Sequence, residues 1–181
     1  MIQSIKPCVL LTTMKTNRTY IEIEGDLIDL ALKGNFDAIV HGCNCMCTMG
    51  AGIALRMRNE FGMNKLPLES AMYRGDPSKL GMIQGKTVYL DVPNGTRNKF
   101  EVVNAYTQFN YGPNHSNGDA APVDYDAIRS CMKKVNIQFK CKHIGLPLIG
   151  CGLAGGDWNI VSEIIKSELT DCDVTVVHFK P

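Results

Sequence analysis

Strand-like and helix-like segments alternate along this chain, and this order limits the fold more than any other feature of the sequence. The strand-like segments contain alternating or continuous apolar residues, and they span residues 18–25, 37–42, 86–92, 100–109, 143–150 and 173–179. Strands separated by helices form crossover units, which produce a parallel or mixed sheet with helices on both faces. The sequence therefore predicts an α/β fold with a largely parallel central sheet.

Each helical segment carries one apolar face. In segment 123–139 this face consists of Ile128, Cys131, Met132, Val135 and Phe139. The last helix begins at Asp157, a good N-cap residue, and its apolar stripe consists of Trp158, Val161, Ile165 and Leu169. We expect a third helix from about Gly50 to Phe61, with a buried face of Ile53, Ala54 and Met57. Arg56 and Arg58 lie on its opposite face, where we expect them to point outward.

The size and charge of the chain limit the kind of partner. Its 181 residues, 45% of them hydrophobic, are enough for one core, so we expect a single domain over residues 1–181. The 19 Lys and Arg and 18 Asp and Glu leave a net charge of +1, which gives no bulk field to attract a polyanion. We therefore expect a monomer that binds a small molecule, with no nucleic-acid polymer as partner.

The sequence also bears on location. No apolar run reaches the roughly 18 residues that a membrane span needs, and "MIQSIKPCVLL" lacks the pattern of a signal peptide. Eight cysteines in a chain without export features favour reduced thiols. We expect a cytoplasmic protein with no membrane partner.

Three polar or Gly-rich segments follow predicted strands, where open α/β sheets bind ligands. They are "HGCNCMCTMGAGIA" (41–54), "NAYTQFNYG" (104–112) and "GCGLAGGDW" (150–158). The first and third run into helix N-termini, where main-chain N–H groups can bind phosphate, and two such loops on adjacent strands suggest a pyrophosphate. Neither matches G-x-x-x-x-G-K-[ST] or G-x-G-x-x-G, so a P-loop NTPase or a standard dinucleotide fold is disfavoured. Ordinary turn chemistry also accounts for either loop alone.

The cysteines at positions 43, 45 and 47 do not have the C-x2–4-C spacing of a structural zinc site, and we expect no metal or other cofactor. Cys47, closest to the predicted helix start, is the one candidate for a catalytic thiolate. The alternative is that all three sulfurs are buried or line the loop.

Four titratable residues have both a structural and a functional interpretation. His41 lies at the end of a predicted buried strand, and it is either a hydrogen-bonded structural group or a proton donor. Asp26 is either the N-cap of a helix or a ligand contact. Asp157 is either an N-cap or a catalytic carboxylate. His115, in the predicted loop 110–122, is either solvated or folded over a ligand.

The motifs "EGDL", "GAGIA" after an Asn-containing strand end, "NAYTQ" and "PLIGCGLAGGDW", in this order, resemble the macro domain, the ADP-ribose-binding module. The resemblance covers nearly the whole chain, from "YIEIEGDL" to "VTVVHF". It implies a three-layer α/β/α sandwich in which a cleft above the sheet holds ADP-ribose.

The resemblance also implies roles for individual residues. Asp26 would accept a hydrogen bond from the adenine amino group, beside the N–H of Leu27, and Asn44 would hold the distal ribose. The distal ribose and a phosphate would be wrapped by Gly50, Ala51, Gly52 and Ile53. The pyrophosphate would be cradled by Gly150, Cys151, Gly152, Leu153 and Ala154.

Two branches of this superfamily share features with the chain. "HGCNC" followed by "GAGIA" is similar to the branch that hydrolyses ADP-ribose 1''-phosphate. "GCGL" and the following Trp resemble terminal ADP-ribose protein glycohydrolase, which uses a Lys nucleophile and an Asp. The matching positions here, Gln108 and Ala154, lack both groups and would only contact ligand.

The sequence thus favours a phosphatase acting on ADP-ribose 1''-phosphate. His41 is the candidate acid or base, Asn44 would orient the ribose, and Asp157 or His115 would align water. The alternatives are a non-catalytic ADP-ribose-binding module and an ADP-ribosyl hydrolase that uses a substrate-assisted water.

Overall fold

Six strands and four helices make up the fold of this protein, seen in a computed structural model that describes residues 18–90, 98–111 and 122–180. The strands are β1 (Tyr20–Gly25), β2 (Ala38–Asn44), β3 (Ile83–Leu90), β4 (Asn98–Gln108), β5 (His143–Leu146) and β6 (Asp173–Phe179). The helices are α1 (Leu27–Leu32), α2 (Gly52–Phe61), α3 (Tyr125–Gln138) and α4 (Trp158–Glu168). None of the helices in these ranges is long and apolar enough to cross a bilayer.

The strands form one sheet in the order β1-β6-β5-β2-β4-β3. All neighbours are parallel except β3 and β4, which are antiparallel. Residues 91–97 between those two strands are fewer than the roughly one dozen that a parallel crossover needs. The predicted α/β fold with a mixed, largely parallel sheet is confirmed.

Helices cover both faces of this sheet and create two cores. The core beneath α3 and α4 contains the predicted helix faces, including Ile128, Val135 and Ile165, all fully buried. The core beneath α1 and α2 contains Leu27 and Met57. This is the expected three-layer arrangement.

The fifth strand is shorter than its sequence pattern predicts. The apolar run 143–150 continues past Leu146, where β5 ends. Pro147 has no N–H to extend the ladder, and Gly150 adopts a left-handed φ of 74° that turns the chain. The carboxyl end of β5 is therefore a turn and not a strand.

The early end of β5 leaves a split in the middle of the sheet. Within the described strands, β2 pairs with β5 only through Ala38↔Ile144 and Ile39↔Gly145. On its other side β2 stays paired with β4 as far as Asn44. The carboxyl half of β2 and the turn after β5 therefore face each other across a crevice.

Candidate functional site

A cleft of about 580 Å³ lies where β2 and β5 diverge, and we call it the main cleft. It is lined by Gly42, Asn44, Thr48, Gly50, Ala51, Gly52, Ile53, Ala54, Gln108, Tyr111, Pro147, Leu148, Ile149, Gly150, Gly152, Leu153 and Ala154. A pocket of about 430 Å³, the side pocket, shares five of these residues and adds Leu27, Arg56, Cys151, Val177 and Phe179. The two compartments therefore form one continuous groove along the carboxyl edge of the sheet.

The N-terminus of α2 faces the main cleft without a side-chain cap. Its N-cap residue is Ala51, which has no hydrogen-bond acceptor in its side chain. The N–H groups of Gly52, Ile53 and Ala54 have no acceptor among the described residues. The other three helices are capped by aspartates, at Asp26, Asp124 and Asp157. The uncapped N–H groups and the helix dipole favour an anion in the main cleft.

The turn after β5 presents a second set of N–H groups. Gly155 N–H donates to Gly152 O (3.0 Å) and Gly156 N–H donates to Gly150 O (2.9 Å), which fixes the turn. A Cβ at Gly150 would lie 2.9 Å from Ile128 Cδ1, whereas one at Gly152 would meet no atom within 4 Å. Within the described ranges, the N–H groups of Gly152, Leu153 and Ala154 have no acceptor. Two sets of main-chain donors thus line the same cleft.

Asn44 shapes the loop that connects β2 to α2. Its Oδ1 accepts from Met46 N–H (3.0 Å) and Thr48 N–H (3.2 Å), and its Nδ2 donates to Thr48 O (2.7 Å). Asn44 and Thr48 both line the main cleft. One amide hydrogen of Nδ2 remains for a ligand, so contact with a ribose stays a prediction that the position allows.

Gln108 and Ala154 also line the main cleft. Gln108 Nε2 donates to Asn110 O at 2.7 Å, and Ala154 is buried. Neither side chain can act as a nucleophile or a general acid.

Two residues predicted for catalysis, His41 and Asp157, line neither compartment of the groove. His41 is fully buried, and its Nε2 donates to Asn104 Oδ1 at 2.8 Å. Burial lowers the pKa of His41 from 6.5 to about 4. Asp157 caps α4 by accepting from Asn159 N–H (2.8 Å), and neither residue lines the main cleft or the side pocket. Their catalytic roles stay predictions without support from the geometry, and His115 lies outside the described residues.

Ionisable side chains are scarce in the main cleft. Among its described lining residues, Tyr111 alone has one. The predicted thiol candidate Cys47 lines neither compartment. The described lining of the main cleft therefore offers main-chain donors and small polar groups, and it includes no carboxylate, imidazole or amine.

The side pocket has one charged lining residue among those described, Arg56. Arg56 stays partly exposed, and its NH1 lies 2.5 Å from Asp26 Oδ2. Its Cζ lies 5.8 Å from the centroid of the Phe179 ring. Asp26 Oδ1 accepts from the N–H groups of Ile28 (2.9 Å) and Asp29 (3.2 Å). Burial opposes ionisation of Asp26, but Arg56 and these N–H groups outweigh it and lower its pKa.

Asp26 itself does not line the side pocket, whereas the predicted contacts Leu27 and Cys151 do. All other predicted ligand-binding residues line the main cleft. The sequence motifs therefore identified the turns that form the groove but not the ion pair at its end.

Behind the loop 44–48 lies a buried polar group that sequence reasoning missed. Lys79 is fully buried, and its Nζ donates to Cys45 O (3.3 Å) and Cys47 Sγ (3.1 Å). The same Nζ lies 4.5 Å from the centre of the Tyr106 ring. No spacing in "GDPSKLG" distinguishes Lys79 from a surface lysine. No group of three metal-binding side chains occurs among the described residues.

Comparison with known proteins begins with sequence. No family model matches the chain. A 17.5 kDa protein from the tk-vs intergenic region of Enterobacteria phage T4 is 31% identical over 167 residues, which cover 88% of this chain and 96% of that protein.

Solved structures share the fold. The macrodomain of Mycobacterium tuberculosis DarG superposes with a TM-score of 0.64 at 22% identity, over 91% of this chain and 99% of that one. Thermosipho africanus DarTG, solved in complex with ADP-ribose, superposes with a TM-score of 0.63 at 18% identity, over 93% of this chain and 43% of that one.

Proposed function

We propose that the chain is a macro domain, because it shares the fold of solved macrodomains, and that it binds ADP-ribose along the groove formed by the main cleft and the side pocket. One observation carries this proposal. The N–H groups of Gly52, Ile53 and Ala54 and those of Gly152, Leu153 and Ala154 line one cleft and have no acceptor among the described residues. A diphosphate supplies acceptors for both sets.

The two compartments suit the two ends of the ligand. The side pocket is lined mainly by apolar groups, with Phe179 at 64% exposure, and a base can stack on such a ring. The main cleft would take the diphosphate and the distal ribose beside Asn44 and Thr48. The ADP-ribose complex of the Thermosipho protein supports this ligand class.

We propose hydrolysis of ADP-ribose 1''-phosphate to ADP-ribose and phosphate as the catalytic activity of the same cleft. The uncapped start of α2 and Asn44 line the same cleft, and the positive end of the helix dipole would favour the extra phosphate beside the diphosphate. Asn44 would orient the ribose. The transition state of phosphate transfer is loose, so positioning and charge stabilisation supply most of the catalysis.

A non-catalytic ADP-ribose-binding module is the second candidate. It is favoured by the lack of carboxylate, imidazole or amine among the described lining residues of the main cleft. An ADP-ribosyl hydrolase that uses a substrate-assisted water needs no such group either.

Calorimetry with ADP-ribose tests the binding proposal, and Gly152→Val supplies the matched variant. Because a Cβ at Gly152 meets no protein atom within 4 Å, we expect this variant to fold normally. Because Gly152 lines the main cleft, the valine side chain would occupy space that the ligand needs, and we expect affinity for ADP-ribose to fall by at least about tenfold. The exposed Asn59, changed to Ala, is the control. Failure of the wild-type protein to bind ADP-ribose at millimolar concentration would remove the proposal.

Turnover assays separate the activities. Phosphate release from ADP-ribose 1''-phosphate, reduced in Asn44→Ala, is the expected result for the phosphatase. ADP-ribose released from ADP-ribosylated protein or nucleic acid would instead identify an ADP-ribosyl hydrolase. Tight binding without any turnover would leave the binding module.

A further inference from the structure

Arg56 contacts Asp26 and Phe179 at the end of the side pocket, the two groups that could bind a nucleobase there. Its guanidinium donates to Asp26 Oδ2 at 2.5 Å, and its Cζ lies 5.8 Å from the Phe179 ring centroid. A base amino group would donate to a carboxylate in the same way, and a base would stack on the same ring. The guanidinium is itself planar and rich in N–H donors, so it makes both kinds of contact at once.

Asp26 has little remaining capacity for a ligand in this arrangement. Its Oδ1 accepts two main-chain N–H groups at the start of α1, and its Oδ2 accepts from Arg56. Asp26 does not line the side pocket, whereas Arg56 does. One acceptor position remains on Oδ2, and a base that takes the position held by Arg56 must displace the guanidinium.

From these contacts we propose that Arg56 competes with the ligand's base for Asp26 and Phe179, and so determines how well the groove distinguishes one base from another. The inference rests on the proposed function, because it concerns the base end of the same groove. With Arg56 in place, affinity depends mainly on the diphosphate and distal ribose in the main cleft. Ligands of the nucleoside diphosphate ribose class with different bases then bind with similar affinity.

Displacement of Arg56 is not prohibitive. Its side chain is 42% exposed, so the ion pair with Asp26 is partly screened by water. The contact with Phe179 is also of the weak, partly solvated kind. Removal of both should tighten ADP-ribose binding by about threefold to tenfold.

The sign of this effect distinguishes competition from assistance. If Arg56 instead clamped the base, its removal would weaken binding. Adenine also offers an amino group to the vacated Oδ2, whereas hypoxanthine carries a carbonyl oxygen at that position. The preference for ADP-ribose over its hypoxanthine analogue should therefore rise by about threefold to tenfold when Arg56 is removed.

The experiment is calorimetry of the wild-type protein, Arg56→Ala, Arg56→Met and Arg58→Ala with ADP-ribose and with its hypoxanthine analogue. Arg56→Met keeps an apolar stem over the pocket, which guards against a loss of packing in the Ala variant. Arg58 lies on the same helix and lines neither compartment, so its variant is the matched control. Thermal unfolding of each variant verifies the fold.

We expect both Arg56 variants to bind ADP-ribose more tightly and to prefer adenine more strongly, and Arg58→Ala to match the wild type. Equal or weaker binding by the Arg56 variants would overturn the inference, although wild-type binding would still support the proposed function. A wild-type protein that binds neither ligand would overturn both.

Discussion

His41 occupies a fully buried site on β2, with Asn104 as its hydrogen-bond partner. A charged imidazole at that site would lose its hydration, so burial lowers its pKa from 6.5 to about 4. A histidine predicted as an acid or base is therefore neutral inside the folded protein near pH 7.

This shift predicts a pH-dependent stability. The folded protein binds the His41 proton only near pH 4, whereas the unfolded chain binds it near pH 6.5. The contribution of neutral His41 to the free energy of unfolding is therefore complete above about pH 6.5. It declines as the pH falls toward 4, by about 3 kcal/mol in total. Urea unfolding at a series of pH values measures it.

His41→Gln should flatten the stability profile between these pH values. Asn59→Ala, at an exposed site that does not ionise, is the control and should keep the slope. An unchanged slope in His41→Gln would show that other groups cause it.

At the scale of single residues, the sequence predicts position better than contact. The motifs located the turns that contain Gly52, Asn44 and Gly152, which line the main cleft. This was possible because strand ends and Gly-rich turns are local sequence patterns. Arg56 and Lys79 were not predicted in their roles, since their partners Asp26 and Cys47 are about thirty residues away in the chain. Contacts at such a distance depend on the tertiary structure.

Helix α2 differs from the other three helices in lacking a side-chain cap, and this predicts opposite effects on stability and on binding. Ala51→Asp should cap the helix and stabilise the protein by about 1 kcal/mol, because Ala51 has the extended backbone of an N-cap residue. The same carboxylate would repel a diphosphate and occupy its donors. ADP-ribose affinity should fall by at least about tenfold.

Thermal unfolding and calorimetry on the same samples measure the two effects. Ala51→Ser, which caps without a charge, should be stabilised with a smaller loss of affinity. Undiminished affinity in Ala51→Asp would mean that the phosphates do not lie at this helix end.

For whole elements, periodicity was a good guide where one face is buried. The faces of α3 and α4 are as predicted, because their apolar spacing follows the helical repeat. The predicted end of β5 at residue 150 was wrong, because an apolar run does not reveal whether the backbone continues as strand or as turn.

Across the molecule, a ligand in the groove would contact both sides of the split sheet. The turn after β5 belongs to the β1-β6-β5 side, and α2 follows the β2-β4-β3 side. ADP-ribose at one hundred times its dissociation constant should raise the free energy of unfolding by about 2.7 kcal/mol. A thermal shift assay measures it, with ribose 5-phosphate as the weaker comparison ligand.

The two-pair contact between β2 and β5 also has a dynamic consequence. Strand β4 is paired on both sides from Glu101 to Ala105, whereas β5 loses its β2 partner after Gly145. Leu146 is still paired with Val176 of β6, so the prediction concerns the turn that follows it. Amide hydrogens in that turn should exchange with deuterium through local opening, well before those of β4. The protein would thus sample wider and narrower crevices while the rest of its sheet keeps its hydrogen bonds.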